Sequence, residues 1–70
     1  MTFKYMKQHL EDVKQYGVTI DDIITDLERD IDRFNIEIAR GNNVEAFTKE
    51  RELFIASLHD WCNYKSKMGL

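Results

Sequence analysis

The chain has 70 residues, of which 43% are hydrophobic and 33% charged, with three glycines and no proline. This composition is typical of one small folded helical domain spanning residues 1–70, and it argues against a disordered segment, which would be poorer in apolar residues. The longest apolar run, residues 53–56, is too short for a membrane span or a signal peptide. The lone Cys62 excludes an internal disulfide and a cysteine-rich zinc site, so we expect a cytoplasmic protein.

Charge is unevenly distributed along the chain. Thirteen acids and ten bases leave a net charge of −3, and residues 19–40 alone carry seven acids against three arginines. This balance is too acidic for a general nucleic-acid binder. It predicts a middle helix with a solvated acidic face.

A first helix is predicted over about residues 3–16. Thr2 can cap its start, and Gly17 is the expected left-handed stop, followed by Val18 as an apolar contact. Its apolar side chains recur at intervals of three and four residues: Phe3, Met6, Leu10 and Val13.

A second helix is predicted over about residues 20–40. Thr19 and Asp22 have the spacing of a capping box, and Gly41 marks the end. The apolar positions follow heptad spacing, which favours packing at a shallow angle: Ile20, Ile24, Leu27, Ile31, Phe34 and Ile38.

A third helix is predicted over about residues 43–67. Asn42 or Asn43 starts this helix, Asn42 and Glu45 have capping-box spacing, and Gly69 is the expected stop. Its seam positions are Val44, Phe47, Arg51, Phe54, Leu58 and Trp61.

The seams of consecutive helices stay in register when the chain is folded back at each glycine. Residues paired across an antiparallel turn have numbers with a constant sum. Pairs across Gly41 sum to 81 or 82, and pairs across Gly17, which place Met6 beside Ile31, sum to 36 or 37. We therefore expect an all-α, three-helix domain dominated by a long antiparallel hairpin of the second and third helices.

Arg51 is the one charged residue on a seam. Its layer contains Ile31, which Asp30 precedes, so we expect an Arg51–Asp30 ion pair that fixes the register at the edge of the core. The alternative is a guanidinium that binds an anionic ligand, but no second base lies beside it.

The unequal helix lengths predict an interaction surface. By the register above, the first helix reaches only Phe34, which leaves the hairpin beyond it uncovered. Such an exposed apolar patch on a small domain favours a homodimer or a second protein as partner. The alternative is a monomer whose N-terminal residues fold over the tip. The predicted interface consists of Ile36, Ile38, Val44, Phe47, Leu53 and Ile55.

The sequence offers no convincing catalytic or metal site. His59 and Cys62 share a helix face, but His9 is predicted to lie opposite residue 54, more than a turn from His59. Ser57 and His59 point about 200° apart on one helix, so they cannot act as a nucleophile and its base. We expect no enzyme activity, no metal, no cofactor and no small-molecule substrate.

We expect a non-catalytic protein-binding module, by analogy a small regulator or inhibitor of a host protein of the kind that phages and other mobile elements make. The alternative is a nucleic-acid-associated protein that uses lysines and aromatics near both termini, or an acidic mimic of nucleic acid. That basic patch would consist of Lys4, Lys7, Lys14, Lys65 and Lys67.

Overall fold

Three helices form the protein in a computed structural model that describes residues 3–69, with side chains from residue 4 onward. Helix α1 spans Phe3–Lys14, α2 spans Ile20–Ala39 and α3 spans Val44–Met68, and no strand occurs in this range. The predicted all-α fold is confirmed, with α1 ending two residues earlier than expected. The predicted Thr2 cap and the Phe3 side chain lie outside the described residues.

A Schellman motif ends α1. The Gly17 N–H donates to the Lys14 carbonyl at 3.0 Å and the Val18 N–H donates to the Val13 carbonyl at 3.4 Å. Gly17 has φ +78°, a conformation that side chains with a Cβ disfavour. The glycine therefore turns the chain toward α2, as the sequence predicts.

The corner between α2 and α3 repeats this geometry at Gly41, which also has φ +78°. Gly41 N–H donates to Ile38 O at 3.0 Å and Asn42 N–H donates to Glu37 O at 3.1 Å. The Asn42 side chain also donates to Glu37 Oε2 at 3.0 Å. Two short corners of this kind make consecutive helices neighbours.

The two predicted capping boxes have different outcomes. At α2 the box is confirmed: the Asp22 N–H donates to Thr19 Oγ1 at 3.2 Å and the Thr19 N–H donates to Asp22 Oδ2 at 3.0 Å. At α3 the Asn42–Glu45 box is wrong, because the Asn42 side chain is turned back to Glu37. Asn43 is the N-cap instead, with φ 42° and no capping bond from its side chain.

Helices α2 and α3 pack along each other as the predicted antiparallel hairpin. An aromatic cluster lies between them: the Phe34 ring centroid is 5.7 Å from that of Phe47 and 5.1 Å from that of Phe54, the latter in an edge-to-face arrangement. These contacts agree with the register predicted across Gly41.

The fully buried core lies at the opposite end of the hairpin from Gly41, where all three helices meet. It consists of Met6, Ile20, Trp61 and Tyr64. Partly buried apolar residues pack against it: Leu10, Ile23, Ile24 and Leu27. Each helix contributes to this cluster, and within residues 4–69 it is here that side chains are buried between all three helices.

The predicted placement of Met6 beside Ile31 is wrong, since Met6 belongs to the cluster of Ile20, Trp61 and Tyr64. The constant-sum rule describes a contact between two helices. Helix α1 instead makes more contacts with α3 than it makes with α2. The large side chains of Trp61 and Tyr64 therefore set its position.

Candidate interaction surface

Helix α1 divides the hairpin into a covered and an uncovered part. We name residues 20–25 and 57–68 the open end, because the chain has no corner there between α2 and α3. We name residues 26–56, which include the Gly41 corner, the turn end. At 1.5 Å per residue, the 12-residue α1 is about 18 Å long, against about 37 Å for the 25-residue α3. Its buried contacts lie at the open end, so within residues 4–69 most of the turn end has no third helix beside it.

The six residues of the predicted interface all lie at the turn end. Leu53 is 63% exposed, Ile36 52% and Val44 43%. The other three, Ile38, Phe47 and Ile55, are half-buried. Phe47 packs on Phe34 inside the hairpin, so its main contact is with its own chain.

These residues are divided between two faces of the hairpin. Tyr64, which is buried with Met6 of α1, marks the side of α3 that faces α1. At 100° per residue, Leu53 lies about 20° from Tyr64 around α3, whereas Ile55 lies about 180° from it. We name these sides the α1 face and the far face. Leu53 continues the α1 face beyond the end of α1, and Ile55 belongs to the far face.

The predicted Arg51–Asp30 ion pair is wrong. The Arg51 guanidinium donates to Asn35 Oδ1 at 2.9 Å, and Asp30 lies 3.7 Å from Arg33. Helical side chains lean toward the N-terminus of their helix, and the N-terminus of α3 is at the Gly41 corner. Arg51 is thereby directed to Asn35, one turn closer to the corner than Asp30.

The turn end carries the whole net charge of the protein, with eight acids and five bases; the rest of the chain has five of each. All five bases are engaged within the chain. Four form exposed ion pairs at 3.6 to 3.7 Å: Arg29–Asp26, Arg33–Asp30, Arg40–Glu37 and Lys49–Glu45. The fifth is Arg51, which bonds to Asn35.

Four acids of the turn end have no such partner among residues 4–69: Glu28, Asp32, Glu50 and Glu52. Sequence reasoning did not single them out. The sequence does contain a pattern that could have indicated two of them. Glu28 and Asp32 are acids at i, i+4, and neither has a base three or four residues further on. The excess negative potential of the turn end arises from these carboxylates.

The lysines of the alternative basic patch are only partly brought together. Lys7 and Lys14 line a groove between α1 and the end of α3, together with Tyr64 and Met68. Lys65 points away from this groove and bonds to Asp21 at the start of α2. Lys4 and Lys67 are exposed.

The candidate metal residues are not gathered into a site. His9 lies between two aromatic rings, 6.1 Å from Tyr5 and 5.7 Å from Trp61. It is therefore further toward the open end than the predicted position opposite residue 54. His59 and Cys62 are exposed. In the part of the chain that the structure describes, no three His, Cys, Asp or Glu residues are placed to hold a metal ion.

None of the described helices combines the length and the apolar character that crossing a bilayer requires. Comparison with known proteins gives no match among protein families, curated proteins or solved structures.

Proposed function

We propose that this protein is a non-catalytic protein-binding module of the cytoplasm, a small regulator or inhibitor that acts by docking its helical hairpin on another protein. The observation that supports this most is the exposure of Leu53, 63% of whose surface is open to solvent on the face that α1 leaves uncovered. Burying a leucine of this kind in an interface contributes roughly 1.5–3 kcal/mol.

The uneven packing supports the same proposal. In the described residues only Met6, Ile20, Trp61 and Tyr64 are buried apolar side chains. A domain of this size has little stability of its own and gains most from a bound partner. A helix laid along the uncovered part of the hairpin would enclose the half-buried side chains there.

Self-association is a second form of this proposal. A homodimer would bury the apolar side chains of two turn ends against each other. Sedimentation equilibrium over a range of concentrations tests it: a dimer gives a mass that rises toward twice 8.4 kDa. A constant mass of 8.4 kDa at every concentration would exclude this form and leave a different protein as the partner.

Affinity capture with matched variants tests the proposed function. Leu53→Asp places a charge on the exposed apolar position, and Asn63→Asp places the same charge on an exposed position of α3 about 15 Å further along the helix. We expect the partners recovered with the wild-type protein to be lost with Leu53→Asp and kept with Asn63→Asp. Circular dichroism of all three proteins checks that the substitutions leave the fold unchanged. Equal recovery with both variants would contradict docking through Leu53.

Nucleic-acid association is a second candidate, favoured by the groove that brings Lys7 and Lys14 beside the end of α3. Salt separates it from the first, because binding through phosphates weakens steeply with ionic strength and apolar docking does not. Titration of the protein with a nucleic-acid duplex and with a single strand at two salt concentrations tests it. Binding that weakens steeply at the higher salt concentration would support nucleic-acid association. The acidic-mimic form is less well supported, since Arg29, Arg33 and the C-cap residue Arg40 pair with three acids of α2.

A further inference from the structure

The far face of the hairpin is an apolar strip bordered by acids. Ile55 lies on it, about 180° around α3 from Tyr64, and is half-buried. Ile31 is half-buried in α2, at the layer where α2 and α3 pair. Toward the open end the strip continues into a groove lined by Ile24, Glu28 and Cys62 together with the paired Lys65 and Asp21.

The borders of this strip are negative on both helices. Asp32 lies about 180° around α2 from the core-packed Ile23, and Glu28 about 140° from it. Glu52 lies about 120° around α3 from Tyr64. These three acids are exposed and have no ion-pair partner among residues 4–69, while two neighbouring bases are engaged elsewhere: Arg51 is bonded to Asn35 and Lys65 to Asp21.

Helix α1 shows how the hairpin receives a helix on its other side. Met6 and Leu10 of α1 are directed into the core at the open end, and three lysines of α1 are exposed: Lys4, Lys7 and Lys14. The occupant of the α1 face is therefore a short amphipathic helix with basic residues on its solvent side. The far face has the same two supporting helices and a more acidic border.

We propose that the far face binds an amphipathic helix of another protein, with an apolar stripe that covers Ile31 and Ile55 and with lysines or arginines on its flanks that pair with Glu28, Asp32 and Glu52. This inference rests on the proposed function and specifies the chemistry of the partner. Charge-paired flanks fix the orientation of the bound helix and accelerate its association.

A second copy of this protein is a poor occupant of the far face. A symmetric dimer through this face would bring Glu28, Asp32 and Glu52 of one copy close to the same acids of the other, and like charges at an interface are repulsive. Nucleic acid is disfavoured for the same reason. A basic helix matches both the apolar strip and the charge.

Two synthetic peptides and two variants test this proposal by nuclear magnetic resonance. Both peptides have the 12-residue length of α1 and leucines at intervals of three and four residues. One carries lysine at every flanking position and the other glutamate. Titration of each into the labelled protein gives the dissociation constant and shows which residues the peptide contacts.

The variants separate local charge from total charge. One is Glu28→Gln, Asp32→Asn, Glu52→Gln. The control is Glu11→Gln, Asp12→Asn, Glu50→Gln, which removes the same number of charges from exposed positions off the far face. For three exposed pairs we expect the lysine peptide to bind the first variant about tenfold more weakly than the wild-type protein. The control variant should stay within about twofold.

The expected result is that the lysine peptide shifts the resonances of Ile31 and Ile55 and binds more tightly than the glutamate peptide. Equal binding of the two peptides, shifts confined to Leu53 and the α1 face, or no binding of either would each overturn the far-face assignment. The proposed function is tested separately by affinity capture with Leu53→Asp, so one can fail while the other stands.

Discussion

The two ends of the hairpin are built from the same two helices but bury their side chains to different depths. At the open end, where α1 joins α2 and α3, Met6 is completely buried and Trp61 is 3% exposed. At the turn end, Phe34 contacts both Phe47 and Phe54, and all three still stay half-buried. Two helices leave the sides of their contact open, and a third is needed to enclose it. The turn end is therefore where a further helix would add most to the stability of the protein.

Truncating one aromatic side chain at each end gives the largest expected effects. We expect Trp61→Ala to lower the free energy of unfolding by about 4 kcal/mol, because it removes a fully buried side chain from the place where three helices meet. Phe34→Ala should cost about half as much, about 2 kcal/mol, because its ring is already partly hydrated. Urea unfolding followed by circular dichroism measures both. An equal loss for the two variants would contradict the difference in burial depth.

Alanine at each glycine corner tests whether the two corners are equivalent. Gly17 and Gly41 both have φ +78°, and a Cβ at either position would meet no atom within 4 Å. Each substitution should therefore cost only the backbone strain, about 1 kcal/mol. A much smaller loss of unfolding free energy for Gly17→Ala than for Gly41→Ala would show that α1 can detach from the open end while the hairpin stays folded. The measurement is again urea unfolding, with glutamine or serine at exposed helix positions as controls.

The two helix starts that follow these corners should differ. Thr19→Ala removes the side-chain oxygen that accepts the Asp22 N–H and should cost about 1 kcal/mol. Asn42→Ala removes an exposed bond to Glu37 and no cap, so we expect a loss below about 0.5 kcal/mol. Thermal unfolding of the two variants compares them. A larger loss at Asn42 would restore the capping role that the sequence suggested for it.

The smallest effect is expected at Arg51. Arg51→Leu removes an exposed hydrogen bond to Asn35 and adds an apolar side chain in the layer of Ile31. The two changes offset each other, so the free energy of unfolding should stay within about 0.5 kcal/mol of the wild-type value or rise. Asn35→Ala, which removes the same bond from the other side, is the control. Unfolding of Arg51→Leu at room temperature would show that the guanidinium has a structural role.

The sequence predicted the helices and the hairpin because local signals determine both. Glycine stops, the Thr19–Asp22 box and heptad spacing act within one or two turns of helix. The position of α1 could not be predicted in this way, because the contact of Met6 with Trp61 and Tyr64 joins residues more than 50 positions apart. That contact depends on side-chain volume, and spacing along the chain does not reveal it.

The candidate site was predicted in part for a related reason. The sequence has more apolar side chains than three helices can bury, and the helix lengths indicated that the surplus lies at the turn end. The exposure of Ile36, Val44 and Leu53 agrees with that location. The division of the predicted interface into two faces follows from where α1 lies. The acidic border of the far face depends on which acids are left without a paired base. That could not be predicted from the sequence, because it depends on the direction of the Arg51 side chain in the folded protein.

The position of α1 is the most direct test of the whole account, and nuclear Overhauser contacts of the Met6 methyl group measure it. We predict contacts from Met6 to the rings of Trp61 and Tyr64 and to Ile20, with His9 close to Trp61. Contacts from Met6 to Ile31 and Phe34 would instead place α1 along the turn end. That result would contradict both the uncovered face and the docking role proposed for it.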